Sequence, residues 1–162
     1  MSAADELFRA NTLYASYFTK GDLPAAPARR FAVVTCMDAR VDPAKALGLE
    51  EGDAHVIRNA GGLVTDDALR SLAISHWELG TKEVFVIAHT RCGLLTLDNA
   101  ELRRKIGDAA SGVDFLPFRN LDASVRESVR RVRESPLLPD SFGATGMVYD
   151  VESGRLRVVD GG

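Results

Sequence analysis

Two stretches limit the fold of this chain more than any other: "FAVVTC" at residues 31–36 and "VFVIAH" at residues 84–89. Both are continuously apolar instead of alternating, which is the pattern of a strand covered on both faces. Such strands sit in the middle of a parallel sheet with helices packed on it. Each run also ends on a metal-binding type of side chain, Cys36 and His89. In open α/β sheets, ligands bind outside the carboxyl ends of the strands, where the strand order reverses.

The remaining segments fit that frame. Residues 2–19 read as a helix with Ser2 as N-cap and acids in the first turn, rich in apolar side chains (Leu7, Phe8, Tyr14, Tyr17, Phe18). Pro24 and Pro27 separate it from the first strand, so residues 1–28 form an arm that packs on its own core or on a second subunit. Residues 43–47 make one or two helical turns, and "DAHVIRN" is a second strand closed by "AGG". Thr65 caps a helix to Leu79 with Leu69, Leu72, Ala73 and His76 on one stripe, stopped by Gly80. A helical stretch runs from Gly93 to about Lys105. Leu121, Val125, Val129 and Val132 mark another helix, and residues 143–160 read as a hairpin turning at Ser153-Gly154. The expectation is a single domain over residues 1–162: an α/β fold with a mostly parallel central sheet, an antiparallel edge strand and helices on both faces.

Composition excludes several classes. A net charge of −3 gives no electrostatic case for nucleic acid as the main ligand. The first segment has acids where a signal peptide needs a basic region, and no apolar run is long enough for a membrane span, so a cytoplasmic protein is expected. Two cysteines do not make a disulfide framework.

They do suit a metal. In "HTRCG", His89 and Cys92 are three residues apart at a strand-to-helix turn, where imidazole and thiolate can converge on one ion. Cys36, ending a neighbouring strand, supplies a third donor. Two thiolates and one imidazole are zinc ligands by softness, and three protein ligands leave a fourth position for chemistry. In "TCMDAR", alternate residues of an extended chain point the same way, so Asp38 faces the metal that Cys36 holds and Arg40 pairs with it. Two thiolates offset the charge of zinc and so acidify its water less than three imidazoles do; the nearby Arg40 cation counters that loss.

"CMDARVDP", "GDAHVIRNAGG" and "AHTRCG", in this order, resemble the motifs of the β-class carbonic anhydrases, in their compact bacterial and archaeal branch. The resemblance covers roughly residues 31–96. It implies one zinc ion per chain on Cys36, His89 and Cys92, with Asp38 and Arg40 as a catalytic pair beside it. It implies reversible hydration of carbon dioxide to bicarbonate and a proton by zinc-bound hydroxide. It also implies a homodimer or a multiple of dimers, with the N-terminal helix over the partner and Phe8, Tyr14 or Phe18 lining the partner's substrate pocket. Asn59, Gly61, Gly62 and Gly93 would shape the substrate pocket. Asp38 is also a possible fourth ligand in a closed state, displaced from the metal by Arg40 in the active one.

Other residues read as structural: His76 at the end of its helix, His55 packed within its strand, and an Arg126, Arg130, Arg131, Arg133 face interleaved with Glu127 and Glu134 as a solvated surface. Arg91 departs from the acidic or small residue of many compact relatives. Alternatives from the same residues are hydrolysis of carbon disulfide or carbonyl sulfide, a catalytically silent zinc module sensing bicarbonate, and a dithiol redox protein using Cys36 and Cys92.

Overall fold

In the computed structural model, which describes residues 2–160, five strands form one sheet in the order β2-β1-β3-β4-β5. β1 is Phe31–Cys36, β2 His55–Asn59, β3 Glu83–His89, β4 Gly143–Tyr149 and β5 Leu156–Asp160. The first four are mutually parallel, and β5 runs antiparallel beside β4 as the second arm of the expected hairpin. Every residue of β1 is buried, which is what the unbroken apolar run required.

The two faces of the sheet are covered unequally. One carries Ala32, Val34, Val84, Val86 and Ala144 against α3 (Asp66–Trp77) and α5 (Leu121–Arg133), with Leu72, Val129 and Val132 filling the space between. Gly146 lets α5 come close: a Cβ there would stand 2.5 Å from Val125 and 3.0 Å from Val129. The opposite face carries Phe31, Val33, Phe85, Ile87 and Met147, and the short α2 (Pro43–Leu47) and the segment after it pack there through Leu47, Leu49 and Ala54. That leaves a groove of about 410 Å³ lined by Arg29, Phe31, Leu47, Phe85, Met147 and Leu156 among others.

Helix α1, Ala3–Ser16, begins as expected with a capping box between Ser2 and Asp5, but none of its residues is buried. Leu7, Phe8 and Leu13 are between 66% and 73% exposed, so its apolar face meets no core among the described residues. Tyr14 donates to Glu51 at 2.6 Å, and Lys20 pairs with Glu50 and Glu51. No described helix is long and apolar enough to cross a membrane.

Some boundaries differ from the expectation, each for a local reason. The helix after Gly93 is broken. A 3-10 turn at Gly93–Leu95 stops, and α4 (Asn99–Ile106) restarts where the Asp98 side chain accepts from the Glu101 N–H. α3 buries Ala68, Leu72 and Ser75, so its core stripe is rotated from the one read off the apolar residues. The cause is a polar cluster: Ser75 Oγ sits 2.7 Å from His55 Nδ1 and 2.9 Å from Thr81 Oγ1. His76 meets the Thr81 carbonyl at 2.6 Å and stacks edge-on with Trp77 and Phe142, so both histidines pack structurally. The arginine face of α5 is paired as a solvated surface, Arg130 with Glu127 and Glu134, while Arg131 reaches Asp66.

Candidate metal centre

The chain leaves β1 toward β2 on one side and leaves β3 toward β4 on the other, so the crevice between the ends of β1 and β3 is the switch point of the sheet. Cys36 closes β1 there and His89 closes β3. The turn after β3 then brings Cys92 back. The donor atoms of Cys36, His89 and Cys92 all lie within 4.8 Å of one another, and all three residues are buried. A tetrahedral zinc with bonds of ~2.0–2.3 Å keeps its ligand atoms under ~4 Å apart, so small adjustments suffice to close this set on an ion.

Protonation of the imidazole is set by the turn itself. His89 Nδ1 lies 2.8 Å from the Thr90 carbonyl, an acceptor, so Nδ1 carries the proton and donates. Nε2 is then a bare lone pair, and it is the one buried side-chain nitrogen or oxygen among the described residues without a hydrogen-bond partner. An orphaned buried acceptor beside two buried sulfurs is a donor set suited to a cation. The thiols point the same way. Burial, ahead of every other cause, pushes the Cys92 thiol up, with Cys36 alongside adding to the rise and the Leu94 N–H opposing it. A divalent cation removes that resistance by pairing with the thiolates. The donor set fits zinc.

Asp38 and Arg40 stand at the rim. Arg40 grips the carboxylate through Nε on Oδ1 at 2.9 Å and Nη2 on Oδ2 at 2.7 Å, and its backbone N–H adds a third bond to Oδ1 at 2.9 Å. These bonds, the side-chain ones first, hold the Asp38 carboxyl well below the usual carboxylate range. Oδ2 is 3.6 Å from His89 Nε2, too far for a hydrogen bond but next to the open side of the donor set. Arg40 is itself anchored, since Nη2 also donates to the Arg91 carbonyl at 3.0 Å.

A carbonic anhydrase family model matches residues 31–114. Beta-carbonic anhydrase 1 of Mycobacterium tuberculosis is 44% identical over 163 aligned residues, covering 98% of this chain and 99% of the relative. The chain belongs to the β-carbonic anhydrase family. The crystal structure of carbonic anhydrase from Streptococcus mutans matches it with a TM-score of 0.92 at 47% identity, covering 99% of both chains. A carbon disulfide hydrolase from Acidianus sp. is 35% identical, aligned over 80% of this chain and 76% of its own.

The structure brings Cys36, His89 and Cys92 together with the Asp38–Arg40 pair beside them, and the glycines named from the sequence differ in what surrounds them. Gly62, at φ 64°, lies on the backbone of β1: a Cβ would meet Cys36 N at 2.8 Å and Thr35 C at 2.9 Å. Gly61 lies under the apolar side chains of Leu94, Leu63 and Phe118, the first of which a Cβ would meet at 2.5 Å. Gly93 faces open space. Asn59 clamps its own turn, accepting from the Leu63 N–H and donating to the Leu63 carbonyl. Arg91 turns its side chain outward to Glu152 at 2.9 Å, and only its carbonyl serves the site. The parts that sequence reasoning did not find are main-chain carbonyls, those of Thr90 and Arg91. An acceptor that every residue possesses has no sequence signal.

Proposed function

We infer that this chain is a carbonic anhydrase, interconverting carbon dioxide with bicarbonate and a proton, with one zinc ion held by Cys36, His89 and Cys92. The observation that carries the reading is the orphaned Nε2 of His89 between two buried sulfurs, its tautomer fixed by the Thr90 carbonyl. Zinc at such a site lowers the pKa of a bound water enough to supply a nucleophile near neutral pH.

Asp38, an acceptor-only carboxylate at the rim, orients that nucleophile by taking its hydrogen bond. Arg40 keeps Asp38 ionised and engages both of its oxygens, which favours leaving a fourth position open; released by Arg40, the same carboxylate, whose Oδ2 is 3.6 Å from His89 Nε2, would be the nearest further donor. Leu94 and Phe118 over Gly61 supply apolar wall for a small linear substrate. The N-terminal arm serves a second copy of the chain: the exposed apolar face of α1 and the groove on the thinly covered side of the sheet are complementary needs. A dimer, or a multiple of dimers, satisfies both. Thiolate ligands need a reducing compartment, which favours the cytoplasm.

Zinc per chain and stopped-flow carbon dioxide hydration at pH 8.5, beside Cys36→Ser and with carbonyl sulfide as competing substrate, test the reading. We expect about one zinc and rapid hydration, both lost in Cys36→Ser. Zinc without hydration would leave a silent binding module, and turnover of carbonyl sulfide alone would move the substrate.

A further inference from the structure

Arg58 lies on the edge strand β2, exposed, and both of its side-chain hydrogen bonds go to main-chain oxygens of the segment that builds the site. Nε donates to the Cys36 carbonyl at 2.9 Å and Nη2 to the Asp38 carbonyl at 2.8 Å. The need is local. The β1–β2 register ends at the Cys36–Asn59 pair, and the Met37 N–H to the Asn59 carbonyl, 2.9 Å, is the last rung. Beyond that rung the chain turns away without a strand neighbour. A planar guanidinium spans the two carbonyls and stands in for the missing strand. The Asp38 carbonyl also accepts the Val41 N–H at 3.0 Å, so the same oxygen ties the start of the turn to its end.

Holding those two carbonyls fixes the peptide planes after Cys36 and Asp38. The directions of both side chains are set by those planes, and Arg40 is carried along through its backbone bond to Asp38. Gly62 packs directly on the Thr35–Cys36 backbone, so the start of the segment has a close contact in addition to the clamp.

We propose that Arg58 is a positioning residue: its guanidinium fork fixes the segment from Cys36 to Arg40 and so sets the angle between the sulfur donor and the Asp38–Arg40 pair. It touches no donor atom and acts through the main chain. For its effect on turnover, the proposal rests on the carbonic anhydrase activity inferred for the site.

The test compares Arg58→Met, which removes fork and charge, with Arg58→Lys, which keeps the charge but not the planar fork. Hydrogen–deuterium exchange of residues 37–42 in the metal-free full chain is read first. Faster exchange is expected there in both variants, with exchange in α5 unchanged. In the zinc-loaded chains, kcat is expected to fall on the order of tenfold in both, with KM within about twofold of the unmodified chain. Unchanged exchange at residues 37–42 overturns the proposal. A fully active Arg58→Lys also overturns it, by assigning the effect to charge. Exchange accelerated in α5 as much as in residues 37–42 reduces Arg58 to general stability and overturns it too. Where Arg58→Met does not fold, Arg58→Lys carries the same comparison. An unmodified chain that hydrates no carbon dioxide would remove the proposed function, and the exchange comparison would still decide the role of Arg58.

Discussion

Replacing Gly62 with alanine tests whether the loop after β2 is a turn that happens to contain glycine or a surface fitted to the metal-binding strand. Two costs are separable. Gly62 has φ 64°, and an L-residue in that left-handed region is destabilised by about 1 kcal/mol. The new Cβ would also stand 2.8 Å from Cys36 N and 2.9 Å from Thr35 C, whereas ordinary van der Waals contact begins at 3.4 Å. The obstruction is backbone of a fully buried strand, so no side chain can swing aside; the loop or β1 must move by roughly half an ångström. Overpacking of that kind adds about 1–3 kcal/mol, for a total near 2–4 kcal/mol. Two other glycines are built-in controls. Gly48 has φ 62° with nothing within 4 Å of its Cβ, so Gly48→Ala isolates the backbone strain at about 1 kcal/mol. Gly93 has open space and no left-handed φ, so Gly93→Ala should stay within about 0.5 kcal/mol. Urea midpoints at constant slope give the three values, and zinc per chain should fall in Gly62→Ala alone. A Gly62→Ala chain as stable as Gly48→Ala, with its zinc intact, would refute the fitted-surface argument.

Other contacts make equally definite demands. Gly146→Ala drives a methyl into Val125 and Val129, both stiff β-branched residues on α5, and should lower stability by about 1–3 kcal/mol in chemical unfolding without changing kcat. Arg91→Ala removes an exposed pair with Glu152 but leaves the carbonyl that holds Arg40, so stability should change by under about 1 kcal/mol and hydration should stay within about twofold. Asp122, held by Arg157 at 2.5 and 3.1 Å, has its carboxyl lowered first by that hydrogen bond. A lowered folded value stabilises fully above the ordinary carboxylate pKa of ~3.9 and is lost as pH falls below it, so Asp122→Asn should flatten the stability loss under about pH 4.

What could be read from the chain was whatever depends on side-chain type and short-range spacing. Phe31 to Cys36 is apolar at nearly every position because β1 has neighbours on both edges and packing on both faces, and that demand is written residue by residue. The His89–Cys92 spacing is equally local, whereas the stretch after Cys36, read as extended chain with alternating sides, is a turn closed by the Val41 N–H on the Asp38 carbonyl, across which Arg40 meets Asp38. The break between Leu95 and Asn99 was hidden because Thr96 and Leu97 do not forbid a helix; the Asp98 cap and the pairing of Phe118 N–H with the Leu94 carbonyl decide it. The contacts of Arg58 were not legible, since its partners are the Cys36 and Asp38 carbonyls and the β1–β2 register that aligns them is not a local property. The greasy helix α1 was legible as an element, while its apolar residues alone did not say that none of them would be buried.

Cys36 and His89 belong to adjacent central strands, and what brings them together is the parallel β1–β3 pairing, reinforced by Thr35 Oγ1 on the Ile87 carbonyl at 2.8 Å. No short piece of the unfolded chain contains the three donors. A metal ion with this donor set therefore recognises the completed middle of the sheet and nothing less, and by linkage it returns its binding energy to that pairing: at a hundred times its dissociation constant, about 2.7 kcal/mol. An ion held there would also act as a rivet across the ends of the two middle strands, and chelating it would loosen the sheet at β1 and β3 instead of at an edge strand.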